Sequence, residues 1–156
     1  MKNVASVMAG CALFAFASTA GAIIVTPSDG TGADLAGSLL GSGVTIVGGS
    51  VGYTGPGTAS GAFTDGLSSG IGIDEGIILT TGTATDAVGP NAFEDTSTEN
   101  FGGGNALLDG LISDPTMDAT VLEFDFTTDT GDLFFNYIGK GCGMYRLFPN
   151  AVIVTA

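Results

Sequence analysis

Gly66-Leu67-Ser68-Ser69-Gly70 has the Gly-x-Ser-x-Gly spacing of a nucleophile elbow, in which a serine hydroxyl attacks a carbonyl carbon. That chemistry needs a base to take the serine proton, normally histidine, and the chain contains no histidine. The flanking residues also lack a strand–turn–helix pattern, so the segment reads as a Gly/Ser turn. Sixteen Asp and Glu residues offer many carboxylate pairs for glycoside hydrolysis. Such catalysis needs two carboxyl groups at a set separation in a cleft, and nothing in the spacing sets one. The chain also lacks Trp, a common sugar-stacking platform.

Asp125, Asp129 and Asp132 lie on or beside one expected hairpin turn, where their oxygens could approach a single Ca²⁺. They are the candidate metal ligands. Asp29-Gly30-Thr31-Gly32-Ala33-Asp34 is a second small acidic loop. Neither follows the spacing of a calcium-binding loop, so solvated turn acids are the plain alternative. No other cofactor is implied. Asn105, after the glycines at 102–104, could open an anion-binding helix N-terminus, but its acidic surroundings favour simple capping.

The elements that must position these residues are short. Apolar runs separated by Gly, Pro, Asn and Asp dominate, and long amphipathic helical runs are missing. The expected fold is therefore all-β and β-sandwich-like, with one or two short helices. Candidate strands cover 23–26, 44–47, 60–64, 77–80, 120–127 and 133–138. Candidate helices cover 34–40 and 105–112, the second with Asn105 as N-cap and ended by Asp114-Pro115. In 119–137, Leu122, Phe124 and Phe126 alternate with Val121, Glu123 and Asp125, placing three large apolar groups on one sheet face. A reversal containing Gly131 leads to Leu133, Phe135 and Tyr137 on one face of the next strand, which predicts a hairpin. Phe134 falls on the other face, so that strand is expected to be covered on both sides.

Residues 1–22 read as a secretory signal peptide, itself an expected helix. Lys2 is the positive start, an apolar stretch follows, and Ala20 and Ala22 occupy the −3 and −1 positions of a cleavage site. Met8-Ala9-Gly10-Cys11 resembles a lipoprotein box, but apolar residues continue past Cys11, against acylation there. The expected destination is extracellular, cell-surface or periplasmic, with no transmembrane span once the signal is removed. Losing Lys2 moves the net charge from −13 to −14, which opposes binding to nucleic acid. Only Cys142 survives cleavage, so it is free or pairs with another chain.

Several motifs recur together in order. They are Tyr53-Thr54-Gly55, Ala59-Ser60-Gly61-Ala62-Phe63, Gly76-Ile77-Ile78-Leu79-Thr80-Thr81-Gly82 and Gly89-Pro90-Asn91. Leu107-Leu108, Met117-Asp118-Ala119-Thr120-Val121-Leu122-Glu123-Phe124-Asp125-Phe126 and Leu133-Phe134-Phe135-Asn136-Tyr137 follow. Together they resemble the choice-of-anchor L domain over roughly 35–137. The resemblance implies an exported bacterial surface domain, defined by no enzymatic activity, whose members carry alternative C-terminal anchoring signals. After the position of Tyr137 the family continues with a Val-Phe step and a Ser-Glu-Glu-Tyr motif. This chain instead reads Ile138-Gly139-Lys140-Gly141-Cys142-Gly143-Met144-Tyr145-Arg146. All sixteen acids lie between Asp29 and Asp132, and the tail that follows holds Lys140 and Arg146 but no acid.

The expected organisation is therefore a signal peptide at 1–22, a partial β domain at 23–137 and an atypical tail at 138–156. Such a tail points to a frameshifted or prematurely ended product, with a divergent native tail as the alternative. The expected role is a non-enzymatic structural or adhesion module, with extracellular matrix or polysaccharide as candidate partners. Self-association through an exposed strand edge or Cys142 is a further expectation. A secreted polysaccharide-acting enzyme fragment and a calcium-stabilised binding domain are the readings from other classes.

Overall fold

A computed structural model describes residues 21–89, 98–131 and 133–139, with the backbone of Val154 and Thr155. The expected signal helix up to Ala20, and Asp132, Lys140, Cys142 and Arg146, lie outside the described residues.

The described chain is a small all-β domain with two short helices, the class its composition implies. Strand β1 (Ile24–Pro27) precedes helix α1 (Ala33–Ser38), and β2 (Val44–Ile46), β3 (Gly52–Thr54), β4 (Ser60–Thr64) and β5 (Gly76–Leu79) follow. Helix α2 (Ala106–Asp109) and strands β6 (Val121–Glu123), β7 (Phe126–Thr128) and β8 (Val154–Thr155) complete it. They form three sheets, in the orders β1-β4-β5, β2-β7 and β3-β6-β8. All pairs are antiparallel except β6 with β8.

Local chemistry explains the pairing. Gly61 of β4 lies opposite Pro27 of β1. A Cβ on Gly61 would sit 2.6 Å from the Thr26 carbonyl oxygen, so only glycine admits this approach. Pro27 lies at the end of β1, an edge strand, where its missing N–H costs no ladder bond. The core gathers the sheets around α1. Leu35 and Ala36 of that helix pack with Leu79 of β5 and with Leu122 and Phe124. The rings of Phe124 and Phe126 meet edge-on, with centroids 6.4 Å apart.

Two expectations are corrected. The run 120–127 is two strands in different sheets, not one. Asp125 is drawn out of the ladder: its N–H donates to Ser50 Oγ at 2.9 Å, and its carbonyl accepts from the Val47 N–H at 2.9 Å. The apolar alternation survives this crossing, since Leu122 and Phe124 are buried and Glu123 and Asp125 are exposed. Val121 is buried too, because β6 lies between β3 and β8.

The second correction concerns the hairpin. After β7 the Asp129 N–H donates to the Gly43 carbonyl at 3.0 Å, which ties the chain to the loop before β2. Residues 133–138 therefore form no strand, and Leu133, Phe134, Phe135, Tyr137 and Ile138 are exposed instead of covered.

Candidate functional site

The candidate nucleophiles of the Gly66–Gly70 motif are occupied in making a turn. The Ser68 and Ser69 hydroxyls both donate to the Asp65 carbonyl, and the Gly66 N–H donates to the Asp74 carbonyl at 2.8 Å. Gly66 is required here, because a Cβ would collide with the Ile73 carbonyl oxygen.

The acidic loop at 29–34 also closes on itself. Asp29 Oδ1 accepts the Thr31 N–H at 2.8 Å and the Thr31 hydroxyl at 2.7 Å. Those two bonds hold the Asp29 carboxyl below its ordinary pKa, the hydroxyl bond contributing most. The Ser28 hydroxyl donates to Asp34 Oδ1 at 3.1 Å. Asn105 caps α2 as its type predicts, its Oδ1 accepting from the Leu107 N–H at 2.9 Å and the Leu108 N–H at 3.3 Å.

Asp125 and Asp129 stand just outside the two ends of β7. Four residues of extended chain separate their Cα atoms by roughly 13 Å. Among the described residues, no group of three His, Cys, Asp or Glu side chains is placed to hold a metal ion. Asp132, the third candidate, lies outside that set.

The densest polar network joins the 98–120 region to the end of β5. Asn100 Nδ2 donates to the Thr81 and Gly82 carbonyls at 2.8 and 3.0 Å. Asp118 accepts the N–H groups of Asn100 and Gly102. Asp109 Oδ1 accepts the Thr116 N–H at 2.6 Å and the Thr116 hydroxyl at 2.7 Å, and both bonds lower its pKa, the hydroxyl bond most. The Thr120 hydroxyl donates to the Thr80 carbonyl at 2.7 Å. These groups build and fasten loops.

A second feature is an open cleft of about 600 Å³ between the 66–74 turn and the exposed segment, lined by Leu67, Ile73, Asp74, Phe135, Asn136 and Tyr137 among others. The sequence gives no sign of it, since its walls are far apart in the chain and only the fold brings them together. Its lining offers aromatic rings, an amide and a carboxylate.

These loops are fastened onto a small all-β domain. A family model for the choice-of-anchor L domain matches residues 25–140, most of the chain, and the chain belongs to that family. The match begins in β1 and runs past Tyr137, so it takes in every described strand but β8. Membership places the chain among exported, surface-associated modules. Neither the curated proteins nor the solved structures provide a match. No described helix is long and apolar enough to cross a membrane.

Proposed function

We propose that this chain is an exported, non-enzymatic module that acts at the cell surface or outside the cell by contact, as a structural or adhesive element. The family match over 25–140 carries this reading. The local chemistry supports it. The Ser68 and Ser69 hydroxyls and the Asp29, Asp109 and Asp118 carboxylates are spent on turn and loop hydrogen bonds, not gathered around a reaction centre. Matrix components and polysaccharides are the partner classes such a module would meet.

Export is tested by the N-terminal residue of the protein recovered outside the cytoplasm. A start at Ile23, with the chain cleaved by protease added to intact cells, is the expected result. A full-length chain retained inside the cell would overturn it. The non-enzymatic part is tested by incubating the purified protein with a panel of polysaccharides. Release of products that Glu123→Gln or Asp125→Asn abolishes would establish an enzyme instead.

A further inference from the structure

The open cleft beside the 66–74 turn combines aromatic rings with an unneutralised carboxylate. Phe135 and Tyr137 line it, with ring centroids 6.5 Å apart and planes tilted by 46°, so the rings are not stacked on each other. Both stay accessible, Phe135 at 63% exposed and Tyr137 at 79%. Asp74 lines the same cleft from the turn. Its Oδ1 accepts one long bond, from the Leu67 N–H at 3.5 Å. The described residues contain no Lys or Arg, so no cation among them neutralises it. Leu67 and Ile73 add apolar wall and Asn136 an amide. Ring faces and a bare carboxylate, in a chain at −13, are complementary to a positive charge carried on an apolar stem.

We propose that this cleft takes an arginine side chain of a basic partner protein. Charge complementarity selects a cation and disfavours nucleic acid and anionic glycans. The carboxylate selects guanidinium over ammonium, because the planar fork places two parallel N–H bonds on it where an ammonium offers a point charge. The rings select it again, since guanidinium stacks on aromatic faces and is the more weakly hydrated cation. The apolar wall at Leu67 and Ile73 suits the methylene stem. A neutral sugar would use the rings and the amide but would leave the Asp74 charge uncompensated. The site is open to solvent, so a single side chain binds weakly, with a Kd of ~1 mM. This partner class rests on the contact reading above, but binding in vitro is read independently of export and of enzymatic activity.

The test is titration of the isotope-labelled secreted chain with the capped peptide Gly-Arg-Gly, under reducing conditions, followed by backbone amide shifts. Saturable shifts at Asp74 and Tyr137 are expected. The peptide with citrulline in place of arginine, which keeps the shape and loses the charge, should give none. Asp74→Asn and Tyr137→Ala, with unchanged dichroism, should each weaken binding by about 3–10-fold. Tyr137→Phe keeps the ring and should stay within about twofold of the wild-type chain. Asp114→Asn removes the same charge from an exposed acid outside the cleft and should leave binding unchanged. The absence of saturable shifts with the arginine peptide overturns the proposal. So does equal weakening by Asp114→Asn and Asp74→Asn, which would mean attraction to the overall charge. Equal binding of the citrulline peptide overturns it too, as do cleft shifts with a neutral cello-oligosaccharide but not with the arginine peptide, which would give the cleft to a glycan.

Discussion

Asp118 holds the two amides that flank Phe101. Its carboxylate accepts the Asn100 N–H at 3.2 Å on one side and the Gly102 N–H on the other. Between them Phe101 is forced to a φ of 54°, a region that residues with a Cβ avoid, and its ring is 82% exposed. The carboxylate thus offsets the cost of an unfavourable backbone conformation. Asp118→Ala should destabilise the domain by about 1–3 kcal/mol in urea unfolding, since two part-buried N–H groups lose their acceptor. Asp118→Asn keeps one acceptor oxygen and should cost less.

Much of this framework was legible in the sequence, for local reasons. The bounds of β4 match the expected 60–64 run, and Asn105 caps α2, because a bounded apolar run and an N-cap are settled within a few residues. The break between β6 and β7 was not legible. The alternation from Leu122 to Phe126 is the same whether the chain stays in one sheet or crosses to another. What decides is Ser50, distant in sequence, whose hydroxyl takes the Asp125 N–H. Strand β3 was missed because Gly52-Tyr53-Thr54 is short and sits among glycines. The 133–138 run has a good strand pattern but pairs with no strand among the described residues, and a pattern says nothing about neighbours.

Tyr53 ties β3 to β4 and predicts an alkaline transition. Its hydroxyl donates to the Pro56 carbonyl at 2.8 Å and shares a 2.8 Å bond with the hydroxyl of the buried Ser60. Burial pushes the phenol above its ordinary pKa of 10.0, the Ser60 bond opposes this, and the charge of Asp34 adds to it. A pKa raised on folding gives stability that is complete below the unfolded value and falls as pH rises through the folded one. Stability should therefore decline above about pH 10. Tyr53→Phe should flatten that decline while costing about 1 kcal/mol at neutral pH. Thermal melts at several pH values check both.

Asp109 predicts the opposite limb. Its pKa is lowered by the Thr116 hydroxyl and then by the Thr116 N–H. A lowered pKa gives stabilisation that is present above the unfolded value and lost as pH falls through the folded one. The 109–116 loop should therefore loosen below about pH 4. Hydrogen exchange at the Thr116 amide should accelerate there. In Asp109→Asn this pH dependence should vanish.

Calcium is tested by the two acids that flank β7. They stand just outside opposite ends of β7. A chelator should leave the melting midpoint unchanged, and Asp125→Asn with Asp129→Asn should leave it insensitive to added Ca²⁺. A midpoint that rises with Ca²⁺ in the wild-type chain and not in the double variant would establish a site there.

Leu122 gives the sharpest test of how three small sheets hold together. It is fully buried in β6, between Tyr53 on β3 and the backbone of β8. It belongs to the same core as Leu35 of α1 and Leu79 of β5, so one side chain links the β3-β6-β8 sheet to the β1-β4-β5 sheet through the helix. Each of these sheets has only two or three short strands, and the two-stranded β2-β7 pair in particular depends on packing against the others. Leu122→Ala should cost about 2–5 kcal/mol, the usual range for emptying a buried leucine site. Its Cδ1 also lies 3.0 Å from where a Cβ on Gly32 would sit, so the bend leading into α1 is packed against it. If the sheets share one core, Leu122→Ala should lower the unfolding midpoint seen by Tyr53 fluorescence, read in a Tyr137→Phe, Tyr145→Phe background, and by backbone dichroism equally. Should the two probes separate, the sheets unfold independently and the shared-core account is wrong.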